Sequence, residues 1–97
     1  TDSRPHQHEL LQNWPNPFNA ETIVEFVLEE PSDVEIAVFS QAGQRVNLLV
    51  QDRLASGLHR TLWDGRSRKG ERLSSGTYFI RLRTGEQVQV KKAVLLK

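Results

Sequence analysis

Apolar residues recur at every second position along this chain, and helical spacing is absent over any window of useful length. Val24, Phe26 and Leu28 share one side of Thr22–Leu28. Val34, Ile36 and Val38 alternate with Asp33, Glu35 and Ala37, and Tyr78, Ile80 and Leu82 oppose Phe79, Arg81 and Arg83. A strand throws successive side chains to opposite faces, so a period of two builds sheets with one buried side. Turn chemistry separates the runs at Pro31-Ser32-Asp33, Gln41-Ala42-Gly43-Gln44, Asp64-Gly65, Ser74-Ser75-Gly76 and Gly85-Glu86. Between them, Val46–Val50 is a further run, and Gly57 opens another in which His59, Thr61 and Trp63 share a face. The last run is Gln87–Leu96, with Val88, Val90, Val94 and Leu96 as its expected apolar face and Lys92 interrupting it. About seven short strands at this spacing predict an all-β fold, an immunoglobulin-like antiparallel β-sandwich. A small closed barrel is the competing architecture.

Ahead of the strands lies a segment that no regular element would choose, LLQNWPNPFN at Leu10–Asn19. Pro15 and Pro17 fix φ and remove two backbone donors, and they push Trp14 and Asn16 toward extended conformations. The expectation is a rigid lead-in whose aromatics, Trp14 and Phe18, plug one end of the sandwich. Residues 1–9 (TDSRPHQHE) are polar with an early proline and read as a linker from a preceding domain, which leaves 10–97 as the folded unit.

Ninety-seven residues suffice for one domain with one modest core. No cysteine is present, so packing alone must hold it, without disulfides or thiolate metal sites. A net charge of +1 argues against a dedicated nucleic-acid binder. No apolar run approaches the ~20 residues that would span a bilayer. The first residues lack the apolar stretch of a signal peptide, so the chain either works in the cytoplasm or belongs to a longer exported protein.

Seven landmarks fall in order: QNWPNPFN at 12–19, Thr22 with Val24-x-Phe26-x-Leu28, Val34-x-Ile36-x-Val38-Phe39, Gly43-x-x-Val46, Gly57-x-His59 leading to Trp63-Asp64-Gly65, SSGTYFIRL at 74–82, and KKAVLLK at 91–97. Together they resemble the C-terminal sorting domain (type A) of the type IX secretion system, which is similar to the immunoglobulin-like domain of the flagellar hook-capping protein. The likeness spans residues 10–97. It departs where Ala20 stands for the third proline of a PNPFNP run, Trp14 for tyrosine, and Phe39-Ser40 for a Tyr-Asp pair. The resemblance implies a domain at the end of an exported protein of a Bacteroidetes-like bacterium. It would be read by an outer-membrane translocon after passage through the periplasm. A cell-surface sortase would then remove it and could attach the cargo to an anionic lipopolysaccharide, leaving a secreted or surface-held product. Position by position, the implied recognition residues are Gly43 and Val46, then Gly76, Tyr78 and Phe79, and finally Lys91, Lys92 and Lys97. The structural ones are Trp14, Pro15, Asn16, Pro17, Phe18, Asn19, Trp63, Asp64 and Gly65.

The chemistry-bearing residues read mostly as structure. KKAVLLK is a last strand whose lysines blunt an edge, and an edge strand is also the easiest element for a receptor to pair with. Trp63 is expected in the core, with Asp64 accepting from turn amides and Gly65 at positive φ. His6-x-His8 offers two imidazoles but no third zinc ligand, and His59 is remote in sequence. Asp52, Asp64 and Glu71 lack the spacing of a calcium loop. Arg66, Arg68, Lys69 and Arg72 form a basic loop, either solvated or facing an anionic partner. Glu29, Glu30, Asp33 and Glu35 cluster near one turn, and Ser74-Ser75 have no neighbouring base. The expectation is therefore no enzyme, no cofactor and no metal. The alternative is a carbohydrate-binding or spacer module of an extracellular enzyme, with Phe39 and Phe79 on outward positions.

Overall fold

The computed structural model describes residues 8–85 and 87–97. Seven strands appear: β1 (Glu9–Leu10), β2 (Thr22–Leu28), β3 (Ser32–Ser40), β4 (Arg45–Leu54), β5 (Gly57–Trp63), β6 (Gly76–Thr84) and β7 (Gln87–Leu95). They form two antiparallel sheets, β1-β2-β5 and β4-β3-β6-β7, as the alternation predicts for an immunoglobulin-like sandwich. The core lies between them. Leu10, Val24, Phe26, Leu28 and Trp63 come from the smaller sheet, and Val34, Ile36, Val38, Tyr78, Ile80, Leu82, Ala93 and Leu95 from the larger. Those from β2, β3 and β6 are the residues whose alternation marks the inward face in the sequence.

Trp63 anchors one end of this core. Its ring meets Phe18 at 5.3 Å and Tyr78 edge-on at 5.5 Å, and its Nε1 donates to the Arg66 carbonyl at 3.0 Å. Tyr78 likewise turns its hydroxyl outward, donating to the Ser74 carbonyl at 2.7 Å. Each ring buries its apolar body and satisfies its one polar atom, the condition for burying Tyr or Trp without a desolvation penalty. Gly65 follows at φ +73°, and Asp64 Oδ1 accepts from the Arg66 amide at 3.2 Å.

Three expectations need correction. The ordered chain begins before residue 10: His8 is buried and Glu9 pairs with Val27, so the linker boundary moves at least two residues toward the N-terminus. Trp14 is no plug. Its indole is 72% exposed, because Trp14 pairs with Ile23 and both point away from the core. The inward place goes to Asn13, whose buried amide donates to Thr22 Oγ1 at 3.0 Å while its Oδ1 accepts from Gln12 Nε2 at 2.6 Å. Phe18 alone fills the end. Finally, β7 shows the core the face opposite to the expected one. Pairing Ala93 with Tyr78 and Gln89 with Leu82 puts odd-numbered residues inward, and Val88, Val90 and Leu96 stay about half exposed. A change of parity moves every side chain of a strand to its other face.

Candidate functional site

The residues of interest lie along β7 and the segment beside it. Residues 8–18 run parallel to β7 for its whole length and close that side of the sandwich. At the first half, β7 supplies the bridges. Gln87 Oε1 accepts from the His8 amide at 3.3 Å and Gln89 Oε1 from the Leu10 amide at 2.7 Å, while Gln89 Nε2 donates to the His8 carbonyl. This explains the reversed parity. The inward glutamines are needed to satisfy the outer backbone groups of β1, which no strand covers.

At the second half the lead-in supplies the bridges. Gln12 Nε2 donates to the Lys92 carbonyl at 2.8 Å and Asn16 Nδ2 to the same oxygen at 3.3 Å, while Asn16 Oδ1 accepts from the Val94 amide at 2.8 Å. Phe18 then pairs through its backbone, donating to the Val94 carbonyl at 3.0 Å and accepting from the Leu96 amide at 2.8 Å. The tail's hydrogen-bonding edge is thus occupied, which corrects the expectation of an edge open to an incoming strand. Pro15 and Pro17, lacking donors, sit where no donor is required.

What the tail does present is its outward side chains. Val88, Val90, Lys92, Val94 and Leu96 follow one another along the solvent face, next to Arg83, Arg81, Phe79 and Thr77 of β6. At its tip, Pro15, Pro17, Phe18, Asn19, Leu96 and Lys97 line an open groove of about 470 Å³, and the Lys97 amide is held by Ser75 Oγ at 3.0 Å.

The residues singled out in the sequence gather unevenly. The Gly43 turn (φ +87°), the start of β6 at Gly76, Tyr78, and the tail from Lys92 to Lys97 meet at the Trp63 end of the sandwich. Val46 packs against the same core, and its carbonyl accepts from the Arg68 amide at 2.9 Å. Lys91 stands further along, opposite Ile80. Phe79 is half-buried on the outer face, opposite Phe39, and the Arg81 guanidinium lies over the Phe39 ring at 4.6 Å. Of the aromatic rings among the described residues, Trp14 alone is largely exposed, so no line of exposed aromatics forms on either sheet.

The remaining candidates have local roles. His8 is locked by its neighbours: Nδ1 accepts from the Glu29 amide at 3.1 Å, and Nε2 lies 3.2 Å from Ser32 Oγ, whose own proton goes to the Glu30 carbonyl. That pattern assigns the ring proton to Nε2. His6 lies outside the described residues, and among these no group of three His, Cys, Asp or Glu is placed to hold a metal. His59 stacks on Phe26 at 5.4 Å and meets the Ala55 carbonyl at 2.7 Å through Nε2. In the basic loop, Arg66 turns inward to the Gly70 carbonyl at 2.9 Å and to Asp64 at 3.6 Å, leaving Arg68, Lys69 and Arg72 exposed. Sequence reasoning missed the Glu35 network, in which one carboxylate meets Arg81 at 2.8 Å, Arg83 at 3.0 Å and Arg45 at 3.8 Å. Only the cross-strand register joins these residues, and no local motif signals it. Asn16 is the other omission as a functional residue, since its bond to a strand almost eighty positions away leaves no local trace.

Comparison with known proteins agrees with this architecture. The chain superposes on part of the latent, dimeric PorU of Porphyromonas gingivalis with a TM-score of 0.76, at 19% identity, over 99% of this chain and 10% of that one. It superposes on PorZ, described as an essential surface component of the type IX secretion system of the same organism, with a TM-score of 0.59 at 15% identity, over 91% of this chain and 11% of that one. The chain thus spans about a tenth of each, and the likeness is one of fold. No curated protein matches the sequence. Residues 15–87, from the first proline of the lead-in to the start of β7, match the FlgD Ig-like domain family, and the chain belongs to that family.

Proposed function

We propose that this domain is a non-catalytic C-terminal sorting signal that directs a multidomain cargo through a type IX outer-membrane translocon to processing or anchoring at the cell surface. One observation carries the reading. The tail strand shows solvent an apolar stripe, with Val88 51%, Val90 50% and Leu96 50% exposed, punctuated by Lys92 and ended by Lys97. A contiguous exposed apolar strip on so small a domain is a feature of interaction sites. Holding it rigid between β6 and the lead-in lowers the ordering cost a receptor must meet. The fold shared with parts of PorU and PorZ supports the setting. In this reading a translocon component takes the tail first and a sortase acts later, with an anionic lipopolysaccharide as the acceptor.

The test is export of a reporter fused ahead of the 97-residue chain, in a host with a working type IX system. Deleting Lys91–Lys97 should abolish export. Equal export of intact and truncated fusions would defeat the proposal. Mass spectrometry of the mature parent protein gives a second check, because a sorting domain should be largely absent from it and a structural spacer retained.

A further inference from the structure

The tail stripe borders the Glu35 network on the outer face of the larger sheet, and the register shows how closely. Glu35 of β3 stands opposite Arg83 of β6, which stands opposite Val88 of β7. One step along, Arg81 lies between Ala37 and Val90, and at the next step Phe79 lies between Phe39 and Lys92. Cross-strand partners share a face of the sheet, so these rows form one surface. Glu35 accepts from Arg81 at 2.8 Å and from Arg83 at 3.0 Å, with Arg45 of β4 at 3.8 Å. One carboxylate offsets one of three guanidinium charges and leaves two. Lys92, with no ion-pair partner among the described residues, adds another. Asp33, the other carboxylate on this face of β3, is matched by Arg53 at 3.5 Å. Arginine stems often cover neighbouring apolar surface. Here Arg81 and Arg83 reach across to β3 instead, where Arg81 also lies over the Phe39 ring, and Val88 and Val90 stay half exposed.

We infer that the arginine row of β6 belongs to the recognition surface, and that the partner reading the tail is a protein whose apolar ridge is flanked by carboxylates. The ridge lies on Val88 and Val90. Neighbouring strands stand ~5 Å apart, so the partner's carboxylates stand ~5–10 Å to the β3 side of that ridge. A guanidinium bound to Glu35 through one Nη keeps further N–H donors for a second carboxylate. Charge selects this occupant. A second copy meeting the same face about a two-fold axis would set arginine against arginine. A flat anionic membrane fits less well, because valine is shorter than arginine. A bilayer would meet the guanidinium groups before the stripe, whereas a protein ridge can reach it.

This inference rests on the sorting reading, and one reporter series separates the two. Arg83→Gln should cut export of the fusion ~10-fold, as expected for losing one charge contact across an interface. Arg83→Lys keeps the charge and should retain most of the export, and Lys92→Glu should lose at least as much as Arg83→Gln. Arg60→Gln, which removes a paired arginine from the opposite sheet, should leave export unchanged. Thermal unfolding of each variant shows that the fold persists. Should Arg83→Gln melt early, Lys92→Glu lies outside the Glu35 network and decides in its place. Normal export of the folded variants, with the Lys91–Lys97 deletion unexported, overturns the inference and leaves the sorting reading standing. Export of the deletion overturns both. Flotation of the 97-residue chain with vesicles of phosphatidylglycerol and phosphatidylcholine, lost in Arg83→Gln, would assign the arginines to a membrane. A dimer lost in the same variant, measured by sedimentation, would assign them to a second copy. Either result also overturns the inference.

Discussion

Gly65 and Gly43 both hold positive φ, +73° and +87°, yet their surroundings differ. A Cβ on Gly65 would meet Leu95 Cδ1 at 3.2 Å and the Phe18 ring at 3.6 Å, whereas one on Gly43 would meet nothing within 4 Å. Alanine at either site carries the left-handed backbone cost of ~1–2 kcal/mol. At Gly65 a packing term of ~1–3 kcal/mol adds to it, because Leu95 is boxed in by the core. Denaturant unfolding at constant m should therefore show Gly65→Ala losing ~2–5 kcal/mol and Gly43→Ala no more than ~1–2. Equal losses would show that Leu95 yields and that the end of the sandwich is looser than it looks. The sequence announces both glycines as turn residues, since Asp64-Gly65 and Gln41–Gln44 carry turn chemistry. It cannot announce the difference, which depends on a leucine thirty positions away. Trp14 teaches the same lesson. Its bulk suggests burial, but the lead-in has one inward position there, and buried Asn13 holds it through Thr22.

Among the elements, β7 departs furthest from what its residues suggest. β2, β3 and β6 are legible because their apolar side is also their inward side. In β7 the apolar residues face outward, and the inward parity carries Gln87, Gln89, Lys91, Ala93 and Leu95. Simple alternation assumes that the core claims the hydrophobic face. Here the register to β6 and the unpaired backbone of β1 outweigh it, because orphaned amides and carbonyls at a closed side cost more than a few half-exposed valines. β4 is blurred for another reason: register shifts at Ile36/Ala37 and Val38/Phe39 break its alternation against β3. The lead-in's hold on β7 is local and can be loosened locally. Asn16→Ala removes both bonds to the tail backbone, at Val94 and Lys92, from an exposed side chain. Amide exchange should accelerate at Val94 and Leu96 by roughly tenfold, for a local loss of ~1–1.5 kcal/mol, while Leu82 and Ile36 keep their protection. Uniform acceleration across the domain would mean that the tail opens only with global unfolding.

For the whole molecule, the two ends of the chain complete one structure. The family match covers residues 15–87, and a chain trimmed to those limits would keep β2 to β6 entire. It would nonetheless lose Leu10, Ala93 and Leu95 from the core, and with β7 it would lose the neighbour of β6. Burying each leucine contributes ~1.5–3 kcal/mol, against a total stability of ~5–15 kcal/mol for a domain of this kind. The cut also turns β6 into a bare edge with Phe79 and Arg81 beside it, a template for aggregation. Circular dichroism and heating should show the 15–87 chain without a cooperative transition, and the full chain with one. A sharp melt of the trimmed chain near that of the intact domain would refute this. The reasoning extends to the sorting reading. If lead-in and tail fold as a pair across the width of the sandwich, an unfolded or half-made domain cannot display the tail stripe of Val88, Val90 and Leu96. A receptor that reads this stripe therefore reads completed folding along with identity, so variants that destabilise the core far from the tail, Leu28→Ala for one, should lose export in proportion to their unfolded fraction.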